Sequence, residues 1–189
     1  RFIYLEEGDI ARLTRSTIEV FVDGQLVDRP VKELDAAVSN ASKGEYKHYM
    51  LKEIYEQPEA IKQTISQALN GNDLRKDFLA SAEQDFTKIQ QIQIIACGTS
   101  YHAGMIAKYW FEQLIDLPCQ VEIASEFRYR TPVIVNHTLY VCISQSGETA
   151  DTIAALKLAK SNGAKTLAIS NVIGSSITRE ADISIYTHA

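Results

Sequence analysis

Two short segments of the chain combine hydroxyl side chains with a glycine directly after an apolar run. The first loop is Ala96-Cys97-Gly98-Thr99-Ser100, and the second loop is Ser144-Gln145-Ser146-Gly147-Glu148-Thr149. Each stands where a strand pattern gives way to a helical pattern. The peptide N–H groups of a first helical turn have no partner within the helix and lie at the positive end of its dipole. Such a place binds anions without any lysine or arginine.

The second loop has the composition of a cup for a phosphate monoester. Ser144, Ser146 and Thr149 offer hydroxyl groups and Gln145 offers an amide, while Gly147 allows a positive φ angle or a close approach of the backbone. The alternative is that the serines and threonine are only helix N-caps, where these residue types are most frequent. For one loop the two interpretations are equally good, and the presence of two such loops favours a ligand site.

Nucleotide-binding motifs are absent from both loops. A dinucleotide fingerprint needs three spaced glycines after a strand, and the first loop with its two following residues contains only Gly98. A Walker phosphate loop needs Gly-Lys followed by Ser or Thr, and the sequence contains no such tripeptide. The sequence therefore favours a sugar phosphate over a nucleotide.

Other reactive residue types are scattered. The four histidines have no metal-ligand spacing, which predicts surface or structural roles and no metal site; they are His48, His102, His137 and His188. The three cysteines lie beside or inside apolar runs, which predicts reduced, buried thiols in a cytoplasmic protein; they are Cys97, Cys119 and Cys142. No carboxylate pair or Ser/His/Asp arrangement is supported, so no catalytic residue is predicted.

Two further segments are predicted to be structural. The charged run Glu126–Arg130 has the composition of a surface turn, with an interface role as the alternative. The aromatic run Tyr109-Trp110-Phe111 is predicted to pack in the core rather than to form a stacking platform.

The elements around the two loops alternate between strand and helix. Short apolar runs predict five strands, at Ile92–Cys97, Val121–Ala124, Thr138–Ile143, Thr166–Ser170 and Ile183–Tyr186. Helices are predicted after Ser100, from Thr149 to Asn162 with Gly163 as its C-terminal cap, and over Ser175–Glu180. This alternation predicts an α/β fold, a doubly wound parallel five-stranded sheet with right-handed crossovers. Ligands of such sheets bind outside the carboxyl ends of the strands, near a topological switch point.

The first half of the chain has a different pattern. Residues 1–28 are β-rich, with strands predicted over Phe2–Leu5, Ile10–Thr14 and Thr17–Val22 and a tight turn at Asp23-Gly24. Residues 29–45 are predicted to be a connecting segment.

Apolar residues from Met50 to Leu69 recur every three or four positions and predict a helix. Pro58 predicts a kink or two abutting helices, and Gly71 predicts a left-handed helix end. A further helix is predicted over Leu74–Gln90.

The composition limits the classes of partner. The chain has 189 residues and a formal charge of -5, which argues against nucleic acid and against an anionic membrane surface. No apolar stretch reaches the ~18 residues of a membrane-spanning helix. The sequence starts at Arg1 inside a strand-like run, without an initiator methionine or a signal peptide pattern. We therefore expect the chain to be a piece of a longer protein.

The two loops resemble those of the SIS (sugar isomerase) domain family. Three longer segments narrow the resemblance to the isomerizing glutamine–fructose-6-phosphate aminotransferases, namely Lys43–Pro58, Val121–Arg130 and Ser144–Asp151. The segment Phe2–Ala11 is similar to the last strands of that family's glutaminase domain. The resemblance covers essentially the whole chain in the family's order.

This resemblance implies a fold and a division into parts. The fold is the flavodoxin-like three-layer sandwich of an SIS domain, preceded by short β-rich and helical segments. The implied parts are the end of a glutaminase domain at residues 1–28, a linker at 29–45, lead-in helices at 46–90 and a first SIS domain at 91–189.

The resemblance also implies roles for residues. Thr99, Ser144, Gln145, Ser146 and Thr149 correspond to ligands of the substrate phosphate, Ser100 corresponds to a sugar contact, and Gly98 and Gly147 are the loop glycines. The implied partners are fructose 6-phosphate or glucosamine 6-phosphate and a second copy in a homodimer, with no cofactor.

The family's glutaminase nucleophile and the acid, base and ring-opening groups of its second SIS domain have no counterpart in this chain. Binding of hexose 6-phosphate without turnover is therefore expected. The alternative is a non-catalytic SIS module that senses a sugar phosphate. An aldose–ketose isomerase without a glutaminase is disfavoured by the β-rich residues 1–27.

Overall fold

The computed structural model describes residues 2–32, 43–75 and 86–188. They belong to two compact units, an N-terminal unit at Arg1–Lys47 and a C-terminal unit at His48–Ala189.

The N-terminal unit consists of short antiparallel strands, as the β-rich composition predicts. They are β1 (Phe2–Ile3), β2 (Ile10–Leu13), β3 (Ile18–Val22), β4 (Gln25–Val27) and β5 (Val31–Lys32). β1 pairs with β5, and β2, β3 and β4 form one sheet. Asp23 and Gly24 have φ angles of 49° and 78° and form the predicted hairpin turn between β3 and β4. The sequence did not predict β4 and β5, because each is too short to show an alternating pattern.

The C-terminal unit begins with helix α1 (Tyr49–Ala68), which runs without interruption through Pro58. Of the two alternatives predicted for Pro58, two abutting helices is wrong, because a proline removes only one N–H donor and the remaining bonds continue on both sides, and the kink stays a prediction. Gly71 has a φ of 65°, but it lies in the turn of a hairpin between β6 (Leu69–Asn70) and β7 (Asp73–Leu74). The predicted role of Gly71 as a helix end is therefore wrong.

Most of the helix predicted over Leu74–Gln90 lies outside the described residues. Leu74 itself belongs to strand β7, so a helix beginning at that residue is wrong.

The remainder of the C-terminal unit is a five-stranded, all-parallel sheet. Its strands are β8 (Gln91–Ala96), β9 (Cys119–Ile123), β10 (Thr138–Ile143), β11 (Lys165–Ser170) and β12 (Ile183–Tyr186). They lie side by side in the order β12-β11-β10-β8-β9. In chain order this is a 2-1-3-4-5 sheet, the flavodoxin-like arrangement, whose switch point lies between β8 and β10. The predicted fold class is confirmed.

Helices cover both faces of the sheet and make it the middle of three layers. Successive residues of a strand point to opposite faces, so Ile94 and Ile95 of β8 enter two separate hydrophobic clusters. The cluster of Ile95 contains α3 (Ala124–Tyr129), α4 (Ala150–Ser161) and α5 (Ser176–Glu180). The cluster of Ile94 packs against α2 (Gly98–Ile115).

Helix α2 approaches the sheet closely at Gly104. A Cβ atom at that position would lie 2.9 Å from Cγ2 of Ile94, so the absence of a side chain sets this distance. The approach brings the amino end of α2, and with it the first loop, against the carboxyl end of β8.

Helix α3 replaces the predicted charged turn. Its residues Ala124 and Phe127 are 0% and 1% exposed and anchor it to the sheet. The prediction was wrong because the helix has only these two buried residues, three positions apart, among four charged or polar residues, so its apolar pattern is short.

The aromatic run on α2 is only partly in the core. Phe111 packs against a hydrophobic cluster, whereas Tyr109 and Trp110 are 57% and 61% exposed. The prediction of core packing is wrong for these two, because consecutive helical residues are turned by about 100° and cannot all face one layer.

Candidate functional site

The two loops identified in the sequence lie beside each other at the carboxyl edge of the sheet. The first loop joins the end of β8 to the first turn of α2, which contains Thr99 and Ser100, and the second loop follows β10 and leads into α4. β8 and β10 are neighbours over their whole length, with Ala96 opposite Ile143 at their last paired position. The structure therefore brings Thr99 and Ser100 to the same edge as the second loop, at the switch point where ligands of such sheets bind.

The second loop is folded around its own hydroxyl groups. Ser144 is 3% exposed, and its Oγ accepts the N–H of Gly147 at 3.1 Å and lies 3.0 Å from Oγ1 of Thr149. The Ser146 hydroxyl accepts the N–H of Glu148 at 3.2 Å. Thr149 stands at the N-cap position of α4 without a capping bond from its side chain. The Thr149 hydroxyl thus belongs to the loop rather than to a helix cap.

A third loop, Asn171–Ser175, and the start of α5 form hydrogen bonds with the second loop. The N–H groups of Asn171 and Ile177 donate to the carbonyl oxygens of Gln145 and Gly147, at 3.0 and 3.1 Å. The Ser176 N–H donates to Oε1 of Glu148 at 2.7 Å.

The third loop, which follows strand β11, was not predicted from the sequence. Its signal is the same as in the other two loops, since hydroxyl residues and a glycine stand at and after the end of an apolar strand, namely Ser170, Gly174 and Ser175. Ser175 is 4% exposed, and its hydroxyl lies 3.4 Å from that of Ser170 and 3.3 Å from that of Thr178.

Gly147 is the point of closest approach between the second and third loops. Its φ angle is 68°. A Cβ atom here would overlap the hydroxyl of Ser175 and come within 2.8 Å of the Ser170 hydroxyl. The positive φ, one of the two properties predicted for this glycine, is confirmed.

The first loop is open by comparison. Gly98 also has a positive φ, of 55°, but a Cβ atom there would meet nothing within 4 Å. Thr99 is exposed and Ser100 is half-buried. Within the described residues, neither of these two side chains forms a hydrogen bond, so both hydroxyls are available to a ligand.

The charged side chains in and beside the second loop have hydrogen-bond partners. The loop contains no lysine or arginine, and its carboxylate, that of Glu148, is turned to the N–H of Ser176. Asp151 in the first turn of α4 is paired with Arg128 at 2.7 Å, and this hydrogen bond raises the pKa of the Arg128 guanidinium. The cup therefore offers hydroxyl, amide and peptide donors rather than a cation.

Of the remaining reactive residues, only the partly exposed Cys97 lies in one of the two loops, within the described part of the chain. Across residues 2–32, 43–75 and 86–188, no three His, Cys, Asp or Glu side chains are grouped as metal ligands. His102 is exposed on α2. Burial raises the pKa of the Cys119 thiol to about 11 and that of Cys142 to about 12, so neither is poised as a nucleophile. Among the helices that the structure describes, none is both long and apolar enough to cross a membrane.

Comparison with known proteins identifies relatives along the whole chain. The family model of the SIS domain matches residues 85–189. The glutamine–fructose-6-phosphate aminotransferases [isomerizing] of Acinetobacter baylyi and Pseudomonas syringae are 72% and 52% identical over all of this chain, which spans 32% and 31% of their lengths. Thus the chain corresponds to about a third of each relative.

A solved structure of a relative shows the same fold. The C-terminal domain of glucosamine-fructose-6-phosphate aminotransferase from Francisella tularensis is 53% identical, with a TM-score of 0.71 over 78% of this chain and 41% of that one.

Proposed function

Because the chain belongs to the SIS domain family and aligns over its whole length with isomerizing glutamine–fructose-6-phosphate aminotransferases, we propose that it is the sugar-phosphate-binding part of such an enzyme. In that enzyme, glutamine and fructose 6-phosphate are converted into glucosamine 6-phosphate. The observation that carries the proposal is the second loop, a hydroxyl-lined cup at the switch point of the sheet, in a chain that is 72% identical to an aminotransferase of this name.

The phosphate of the sugar is assigned to the second loop. Ser144, Gln145, Ser146 and Thr149 supply hydroxyl and amide donors to its oxygens, and Thr99 approaches from the first loop. This assignment is supported by the neutral, donor-rich chemistry of the cup, since peptide and hydroxyl donors at a helix N-terminus stabilise a phosphate dianion. Ser100, half-buried beside Thr99, is assigned to the sugar.

The chain contributes binding and orientation rather than the chemical steps. No acid–base pair and no activated nucleophile lies at the carboxyl edge within the described residues, and the two thiols whose pKa is raised are buried in the sheet. We assign proton transfer, ring opening and ammonia release to parts of the enzyme that match other regions of the relatives. We also propose that the enzyme is a homodimer in the cytoplasm. Domain limits are proposed at residues 28, 45 and 90.

Calorimetric titration of the chain with fructose 6-phosphate and with fructose tests the phosphate assignment. The phosphate ester is expected to bind and to raise the melting temperature, because a ligand of the native state stabilises it, whereas fructose is expected to do neither. The double variant Ser146→Ala/Thr149→Ala is expected to lose both the heat of binding and the melting shift.

Ser161→Ala is the matched control, since that hydroxyl lies at the far end of α4 and donates to the Leu158 carbonyl oxygen. An unchanged melting shift in the double variant would refute the assignment. Formation of glucosamine 6-phosphate by this chain alone, from fructose 6-phosphate and ammonia, would refute binding without turnover.

The surrounding gene sequence separates the enzyme from the sensing module. A glutaminase region upstream and a second SIS domain downstream are expected for the enzyme. Their absence from the gene would instead favour a sugar-phosphate sensor.

A further inference from the structure

The third loop and the start of α5 fix the direction in which the second loop presents its peptide groups. In a trans peptide the carbonyl oxygen and the following N–H point to opposite sides, and the described chain has no cis peptide bond. The carbonyls of Gln145 and Gly147 accept hydrogen bonds from the N–H groups of Asn171 and Ile177. The N–H groups that follow these carbonyls, on Ser146 and Glu148, therefore point away from the third loop.

A second hydrogen bond agrees with this direction. The N–H of Glu148 donates to Oγ of Ser146, a residue that is exposed and to which we assign a phosphate contact. The N–H groups of Ser146 and Glu148 are thus turned to the ligand side because the carbonyls of Gln145 and Gly147 are held on the opposite side.

The side chain of Glu148 adds a further hydrogen bond between the second loop and α5. Its carboxylate oxygen Oε1 accepts the N–H of Ser176 at 2.7 Å, across 28 residues of sequence. A carboxylate turned towards the bound phosphate would repel it, since like charges a few ångströms apart repel each other. The bond to Ser176 holds the carboxylate on the α5 side and anchors the loop there.

We propose that Glu148 is a positioning residue of the sugar-phosphate site: its bond to the Ser176 N–H holds the second loop with the Ser146 and Glu148 N–H groups facing the ligand. This inference rests on the proposed function and adds to it a residue that does not itself touch the phosphate. It explains why an acidic residue stands inside an anion-binding loop.

Three substitutions separate the hydrogen bond from the charge. Glu148→Gln keeps an oxygen acceptor of the same reach without the charge, Glu148→Asp keeps the charge but is shorter by one methylene, and Glu148→Ala keeps neither. The dissociation constant of each variant for fructose 6-phosphate is measured by calorimetric titration of the chain.

The glutamine variant is expected to bind within about twofold of the unaltered chain or more tightly. The aspartate and alanine variants are expected to bind about tenfold more weakly, because a hydrogen bond to a charged group is lost from the loop's support. Weaker binding by the alanine variant than by the equally neutral glutamine variant is the result that a charge effect would not produce. Glu53→Ala, an exposed glutamate on α1, is the control and is expected to leave the dissociation constant unchanged.

A second measurement reports on the direction of the peptide groups. The amide proton of Ser146 is expected to shift in an NMR titration of the unaltered chain with fructose 6-phosphate, and to shift less in Glu148→Asp at equal saturation. Because aspartate preserves polarity and charge, this variant is expected to remain folded even where the alanine variant does not.

The outcomes distinguish the two proposals. No binding of fructose 6-phosphate by the unaltered chain contradicts the proposed function. Binding by the unaltered chain together with equal affinity of the aspartate variant contradicts only the role of Glu148.

Discussion

The first and second loops leave neighbouring strands, carry similar residues and lead into helices, yet they are supported in different ways. The segment that follows β11 forms hydrogen bonds with Gln145, Gly147 and Glu148 of the second loop. The first loop has open space around Gly98 and no side-chain hydrogen bond at Thr99 or Ser100 among the described residues. Residue types therefore make a loop suitable for ligand binding, whereas the hydrogen bonds from a neighbouring segment determine how firmly the loop is held before a ligand binds.

The largest effect is expected at Gly147, where the second and third loops approach each other most closely. Gly147→Ala adds a Cβ atom at a positive φ and against the Ser175 hydroxyl. A left-handed conformation costs a non-glycine residue roughly 1–2 kcal/mol, and overpacking adds roughly 1–3 kcal/mol. The free energy of unfolding from a urea denaturation curve is therefore expected to fall by about 3 kcal/mol.

Gly98→Ala is the matched comparison, because it has the same backbone requirement without the neighbour. It is expected to lower the free energy of unfolding by only about 1 kcal/mol. Equal losses in the two alanine variants would remove the proposed difference between the loops.

A smaller effect is expected from a hydroxyl inside the second loop. Ser144→Ala removes an acceptor for the Gly147 N–H and a partner of the Thr149 hydroxyl. Loss of a buried hydrogen bond lowers the free energy of unfolding by about 1–2 kcal/mol. Ser100→Ala in the first loop is expected to change the free energy of unfolding by less than about 0.5 kcal/mol in the same experiment. A larger loss would show that the Ser100 hydroxyl stabilises the first loop.

The smallest perturbation is chemical labelling of the thiols that flank the two loops. Cys97 of the first loop is partly exposed, whereas Cys142, in the strand before the second loop, is buried with its pKa raised to about 12. Because the thiolate is the reactive form, iodoacetamide at pH 8 is expected to label Cys97 and to leave Cys142 and Cys119 unmodified in the folded chain. Mass spectrometry of the digested protein measures the sites.

Urea provides the control for this labelling, since all three thiols are expected to react once the chain is unfolded. Bound fructose 6-phosphate is expected to slow the labelling of Cys97 because the ligand covers the first loop. Labelling of Cys142 at the rate of Cys97 would contradict the burial of Cys142 in strand β10.

Much of the C-terminal fold could be predicted because its strands are continuous apolar runs between polar boundaries. The limits predicted for Thr138–Ile143 and Ile183–Tyr186 agree with the structure to the residue. Such runs arise wherever a strand is buried on both faces. The placement of both loops at one edge follows from the parallel arrangement alone.

The features that the sequence did not predict depend on contacts between distant residues. The third loop supports Gln145 through Asn171, and Glu148 reaches Ser176, so no local pattern identifies either bond. Helix α3 was missed because its local apolar pattern is short, and its large buried side chain, Phe127, contacts Tyr140 on another element. Local composition predicts where a helix begins more readily than what it packs against.

The lack of basic residues in the second loop has a consequence for the conditions under which it works. Attraction between a phosphate and an exposed lysine weakens as ionic strength rises, because mobile ions screen charges over a Debye length of about 8 Å in physiological salt. Hydrogen bonds from hydroxyl and peptide groups act at contact and release few counterions. A phosphate ester bound in this way would keep its affinity through changes of cellular salt, and selectivity among anions would come from their shape instead of their total charge.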